Sequence, residues 1–231
     1  MKLIKPSYEI LSPLIRENVL KAIEIAGRTC YKSEDRITED SASKFVEMIN
    51  GRGHRAVVEH QSITVRFICD RGVSHELVRH RLASFCQEST RYCNYSKDKF
   101  DSELTFIIPS WFKNQDKELL QALWDRSAVE NVSDDEWCEV EWYCVCDNAE
   151  ESYLTLLKKG WQAQQARSIL PNSLKTEIVV TANIREWQEI LKQRTSPAAH
   201  PQMRELMIPL QKELQTVLPE LFGDYQENTI V

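Results

Sequence analysis

Residues 62–92 read SITVRFICDRGVSHELVRHRLASFCQESTRY. The opening eight, Ser62 to Cys69, are rich in β-branched residues and alternate in polarity, the pattern of a half-buried strand. From Val73 into Leu82 the apolar spacing turns helical. That helix is predicted to carry Arg79 and Arg81 and to end near Ala83. The remainder is predicted to be an irregular loop, where ligand contacts tend to lie. Between Arg79 and Arg91, thirteen positions hold three arginines, one histidine and two serines (Arg79, His80, Arg81, Ser84, Ser89, Arg91). Guanidinium groups are planar, permanently charged and present paired donors, which suits phosphate and the imide edge of a pyrimidine.

Outward from this stretch, helices are predicted over Pro13 to Ala26 with Ser12 as N-cap, and over Ser41 to Asn50 with Gly51 as stop. Glu103 to Ile108, closed by Pro109, and Leu174 to Thr181 read as strands. Lys117 to Lys159 is helical and acidic, and Gly160 breaks it. Arg185 to Gln193 and Met203 to Val217 return to helical periodicity, with Pro209 expected to kink or interrupt the second. This order predicts an α+β fold, a small, mostly antiparallel sheet flanked by long helices. A doubly wound nucleotide fold is disfavoured, because no GxGxxG follows a strand and the chain has only six glycines. The length, 231 residues, suits a single domain over 1–231, with a helical, acidic insertion around 113–160.

The net charge of −6 argues against a generic nucleic-acid binder, since phosphate-backbone affinity comes from clustered Lys and Arg. No apolar run approaches the roughly 18 residues of a membrane span, and the first residues do not resemble a secretory signal. A cytoplasmic protein is expected, without nucleic acid or membrane as partner. Seven cysteines in an odd, scattered set predict free thiols and no metal site.

Three further arginines stand in matching contexts: Arg167 before Ile169-Leu170-Pro171, Arg185 in Asn183-Ile184-Arg185, and Arg194 after a helix. Arginines gathered in an acidic chain would make a local positive pocket. The central run resembles the signature of the flavin-dependent thymidylate synthases, RHR-x-x-S followed by S-x-R. Gly53-His54 with Glu59-His60, Arg167 with its Leu-Pro, Asn183-x-Arg185 and Arg194 follow in that family's order.

The resemblance implies an FAD enzyme that converts dUMP to dTMP. Its carbon donor would be 5,10-methylenetetrahydrofolate and its hydride source FAD reduced by NADPH, with no enzyme nucleophile. It also implies a homotetramer with shared active sites. Residue by residue, it assigns dUMP contacts to Glu76, Leu77, Val78, Arg79, Gln87, Glu88, Ser89, Thr90, Arg91, Arg167 and Arg194. Arg194 is the catalytic candidate, placed against the uracil edge to favour ionisation at N3. FAD contacts fall on Ala56, Arg79, His80, Arg81, Gln87, Asn183, Arg185 and Glu189, with His54 and His200 as weaker candidates. Three positions depart from the commoner pattern. Ala56 stands where Ser or Thr is usual, and Cys86-Gln87 stand where Asn-Glu is usual. Gln87 keeps open a flavin- and folate-dependent hydroxymethylase, and the arginine-serine run keeps open an RNA-binding module.

Overall fold

The computed structural model describes residues 1–97, 100–128 and 130–223. Among the described residues there are six strands: β1 (Lys2–Ile4), β2 (Ser7–Ile10), β3 (Ser62–Asp70), β4 (Ala83–Gln87), β5 (Thr105–Ile107) and β6 (Lys175–Asn183). The helices are α1 (Arg16–Tyr31), α2 (Ser41–Gly51), α3 (Arg71–Leu77), α4 (Lys117–Ser127), α5 (Asp134–Lys158), α6 (Ala163–Ala166), α7 (Ile184–Arg194), α8 (Pro201–Val217) and α9 (Pro219–Phe222). The main sheet runs β2-β3-β6-β4, and β1 pairs separately with β5 in parallel. The result is the expected α+β fold with small, mostly antiparallel sheet content.

The chain divides into two compact units. One comprises Met1–Ser7, Phe67–Arg79 and Cys86–Ile178; the other comprises Tyr8–Arg66, His80–Phe85 and Val179–Val231. In the first, Tyr95, Leu104, Phe106, Phe112, Leu120, Tyr143, Tyr153 and Leu174 form the core. Helix α5 starts where it does because Ser133 and Glu136 make a reciprocal capping box. Its acidity is partly structural. Buried Glu139 accepts from the Lys113 backbone N–H at 2.6 Å and the Asn114 side chain at 2.7 Å. Buried Glu150 accepts from the Leu104 N–H at 2.6 Å. Backbone donors that would otherwise be orphaned are thereby satisfied.

In the second unit α1 packs on α2 through Gly27. A Cβ built there would lie 2.6 Å from Phe45 Cε1 and 3.0 Å from Val57 Cγ1, and Arg28 stacks over the same ring at 4.7 Å. The stacked guanidinium opposes a swing of the ring aside. Gly27→Val should therefore destabilise the protein by about 3 kcal/mol, the upper range for overpacking. A urea midpoint equal to wild type would refute that close approach.

Several sequence expectations need correction. Ser12 does not cap α1; its hydroxyl accepts from the Thr64 N–H at 2.8 Å, and the helix begins after Ile15 without a side-chain cap. Gly51 lies inside α2, and the stop is Gly53, at φ +73°. Gly53 N–H bonds to Asn50 O at 3.0 Å and His54 N–H to Ile49 O at 3.1 Å, the pairing of a Schellman cap. Helix α8 runs through Pro209 uninterrupted. The helix expected to reach Leu82 ends at Leu77, and the stretch expected to be loop contains β4.

Candidate active site

Helix α3 is set by Asp70, whose side chain accepts from the Val73 N–H at 2.6 Å. Its buried face, Val73, Ser74 and Leu77, is exhausted by Leu77. Arg79, His80 and Arg81 therefore fall in the turn between α3 and β4, not on a helix. Leu82 is 73% exposed, so nothing holds the helical register further. Strand β4 then alternates half-buried Ala83, Phe85 and Gln87 with exposed Ser84 and Cys86.

Ten of the expected nucleotide contacts, Glu76, Leu77, Val78, Arg79, Gln87, Glu88, Ser89, Thr90, Arg91 and Arg167, belong to the first unit. Leu77 is 1% exposed and packs into the core, leaving only its backbone for a ligand. Val78 caps α3, and the Arg79 N–H returns to Glu76 O at 3.3 Å. The loop after β4 is well anchored. Glu88 N–H bonds to Glu177 O at 2.8 Å, and its carboxylate takes Tyr95 Oη–H at 2.9 Å and Lys175 Nζ at 3.1 Å. Burial first, then Glu88, pushes the Tyr95 phenol far above its usual range, so it stays a donor. Arg167 Nη1 reaches Thr90 Oγ1 at 3.3 Å, and the Arg91 N–H bonds to Ser89 Oγ at 3.3 Å. The Arg91 guanidinium lies 5.3 Å from the exposed Tyr92 ring.

Ala56, His80, Arg81, Asn183, Arg185, Glu189 and Arg194 belong to the second unit. Asn183 caps α7, accepting from the Glu186 N–H at 2.8 Å. Arg185 pairs with Glu59, and Arg55 with Glu189; Ala56 is exposed in the turn between. His54 lies within 3.5 Å of Tyr31 Oη, and His200 immediately precedes α8.

Arg194, His80 and Glu186 form one cluster. Arg194 Nε donates to His80 Nε2 at 3.0 Å, so that nitrogen is the unprotonated one and Nδ1 carries the hydrogen. Glu186 Oε1 stands 3.7 Å from Nδ1. Burial, then Arg194, lowers the His80 pKa. Burial, then Glu189, raises that of Glu186 against the pull of Arg185. A neutral imidazole thus orients the arginine, and α7 supplies both flanking groups.

Arg16, Arg28, Arg55, Arg66, Arg126 and Arg185 each pair with a carboxylate. Among the described residues Arg79, Arg81, Arg91 and Arg167 have no such partner. In a chain of net charge −6, Arg79, Arg91 and Arg167 of the first unit and Arg81 of the second are each a candidate donor for an anionic ligand. Sequence reasoning missed Glu186, Arg55, Lys175, Ser74 and Thr176. Only Glu186 carried a signal: Asn183-x-x-Glu186 is an N-cap pattern at the head of an apolar helix.

The chain matches the family profile described as thymidylate synthase complementing protein over residues 14–220. A flavin-dependent thymidylate synthase of Corynebacterium efficiens is 35% identical over 217 residues, covering 90% of this chain and 80% of that protein. Its counterpart from Pyrococcus furiosus is 32% identical over 189 residues, covering 81% and 68%. The fold is that of thymidylate synthase X from Helicobacter pylori, solved with FAD and dUMP. That structure aligns at TM-score 0.69 and 22% identity, over 96% of this chain and 99% of that one. With the match spanning nearly the whole chain and taking in both residue sets, the chain belongs to the family of flavin-dependent thymidylate synthases.

Proposed function

We propose that this chain converts dUMP to dTMP, taking carbon from 5,10-methylenetetrahydrofolate and using FAD reduced by NADPH. The observation that carries this reading is the Arg194–His80 hydrogen bond, a permanent cation locked by a neutral ring. A fixed positive charge against the uracil edge favours ionisation at N3, which raises electron density at C5. Arg79, Ser89, Arg91 and Arg167 would hold the nucleotide, most of them at its phosphate.

The donor set fits FAD. Arg81, exposed and without a carboxylate partner, suits a diphosphate. Arg79 adds a cation and Arg185 a guanidinium already paired with Glu59, Asn183 and the His80 ring add polar edges, and Ala56 offers only its backbone N–H. When bound, the flavin supplies the redox chemistry. Burial pushes Cys69 far up and Cys146 up to about 12, and raises Cys144, so these three thiols are not prepared as nucleophiles.

The reading extends to one catalytic domain with the 113–160 segment as its insertion, to a homotetramer with shared sites, and to the cytoplasm. Among the described residues no helix is long and apolar enough to cross a membrane.

The test is direct. Purified protein should be yellow, its flavin spectrum should shift with dUMP, and anaerobic turnover with the folate and NADPH should yield a product of dTMP mass. A colourless protein that takes up no FAD would overturn the reading. A hydroxymethylated product would move it to a flavin- and folate-dependent hydroxymethylase.

A further inference from the structure

Gln87 is the last residue of β4, and its surroundings are built for the amide. Its Nε2 donates to Ser74 Oγ at 2.9 Å and to Thr176 Oγ1 at 3.2 Å. Both hydroxyl residues are 0% exposed, and all three belong to the first unit. Ser74 sets the direction of the bond. Its own proton goes to the Arg71 carbonyl oxygen at 3.0 Å, so toward Gln87 it can only accept. The amide nitrogen must face it, which decides an orientation that heavy-atom positions alone leave open.

Both amide protons are consumed inward. Oε1 has no donor among the described residues and is not among the buried unsatisfied atoms. Gln87 therefore presents an accessible, uncharged acceptor.

We propose that Ser74 and Thr176 are positioning residues that lock this amide, so that the nucleotide meets a neutral acceptor at Gln87. The acceptor would take a proton donor of the substrate, a sugar hydroxyl or the ring N3–H. The inference rests on the reading that Gln87 lines the nucleotide site. An ionised carboxylate at this position has no proton for Ser74 Oγ, so two lone-pair atoms would oppose each other about 2.9 Å apart. Protonation relieves that opposition, which would raise the pKa of a glutamate here. The charged groups on the bonded elements are Arg71, His75 and Glu76 on α3, and Lys175 and Glu177 on β6, with Glu88 adjacent in the chain. Lys175 is already taken by Glu88 and Glu177.

The test is calorimetric titration of dUMP into the flavin-loaded, full-length protein and its variants, each compared with wild type at the same pH. Gln87→Glu should bind near the wild-type level at about pH 5.5 and about tenfold more weakly at about pH 8. The Ser74→Ala/Thr176→Val double variant should bind about tenfold more weakly at both. N3-methyl-dUMP and the 3′-deoxy analogue identify the donor, since the analogue that lacks it should lose nothing further in Gln87→Leu. The proposal is overturned if Gln87→Glu tracks wild type at both pH values. It is equally overturned if the double variant lowers Tm with its Kd unchanged, or if both analogues still lose affinity in Gln87→Leu. Wild-type protein that binds no dUMP would instead remove the functional reading underneath.

Discussion

Arg194→Ala is expected to lower kcat by about 10²–10³-fold, the range for removing one preorganised electrostatic donor, with dUMP affinity changed much less. The asymmetry follows from when the charge matters. A cation beside the uracil edge meets a neutral imide in the bound substrate and an anionic one as the ring is activated, so its interaction strengthens along the reaction. Arg91→Ala should do the reverse, weakening nucleotide binding with a smaller effect on kcat, because a phosphate is charged throughout. Arg194→Lys should rescue little. A lysine lacks the Nε–H that bonds His80 at 3.0 Å, and a mobile ammonium is not aimed. Equal losses in both parameters from both alanine variants would defeat this division of roles.

The same cluster has a pH signature. His80 Nε2 must be unprotonated to accept from Arg194, and burial with Arg194 lowers its pKa from the usual value. The folded protein then binds fewer protons at this site than the unfolded chain. Its stability contribution is complete above the ordinary histidine range, about 6.5, and is lost as pH falls through that range toward the folded value. The fall in kcat on the acid side should follow protonation of His80, below the ordinary histidine range. Glu186 acts with the opposite sign. Its raised pKa means the folded state favours its proton, so ionising it costs some stability as pH rises above the usual carboxylate range.

What was legible in the sequence follows from periodicity. Strands β3 and β6 alternate cleanly, Ile63, Val65 and Phe67 in one and Ile178, Val180 and Ala182 in the other being buried, and a two-residue period is visible without knowing the partner strands. Strand β4 was not legible. Its inward positions are Ala83, Phe85 and Gln87, and the alternation is lost when one of the three is an amide bonded to buried hydroxyls. Helix α3 was overextended for a related reason: Val78 and Leu82 continue the apolar spacing, yet both are exposed. The residue types of the site were readable from the run of arginines. The partners that aim them were not, because Glu59 with Arg185, Glu189 with Arg55 and Glu186 with His80 are ion pairs and contacts across long sequence separations.

The second large effect is expected from a residue with no ligand role. Trp187→Ala should cost about 4 kcal/mol, the range for removing a large core aromatic, and lower Tm by roughly 10 °C for a chain of this size. Trp187 is 0% exposed and its Nε1 donates to Ile63 O at 2.9 Å, so it joins α7 to β3 through both packing and a buried hydrogen bond. Trp187→Phe keeps much of the volume but leaves that carbonyl without its indole donor, and should cost about 1–3 kcal/mol. Helix α7 carries Asn183 at its cap, Arg185 and Glu189 along it and Arg194 at its end, and one tryptophan anchors its middle. Loosening that anchor should therefore release flavin at temperatures well below global unfolding, read as loss of bound-flavin absorbance on gentle heating. If Trp187→Ala kept both its flavin and its unfolding midpoint, α7 would have to be held by contacts other than this buried ring.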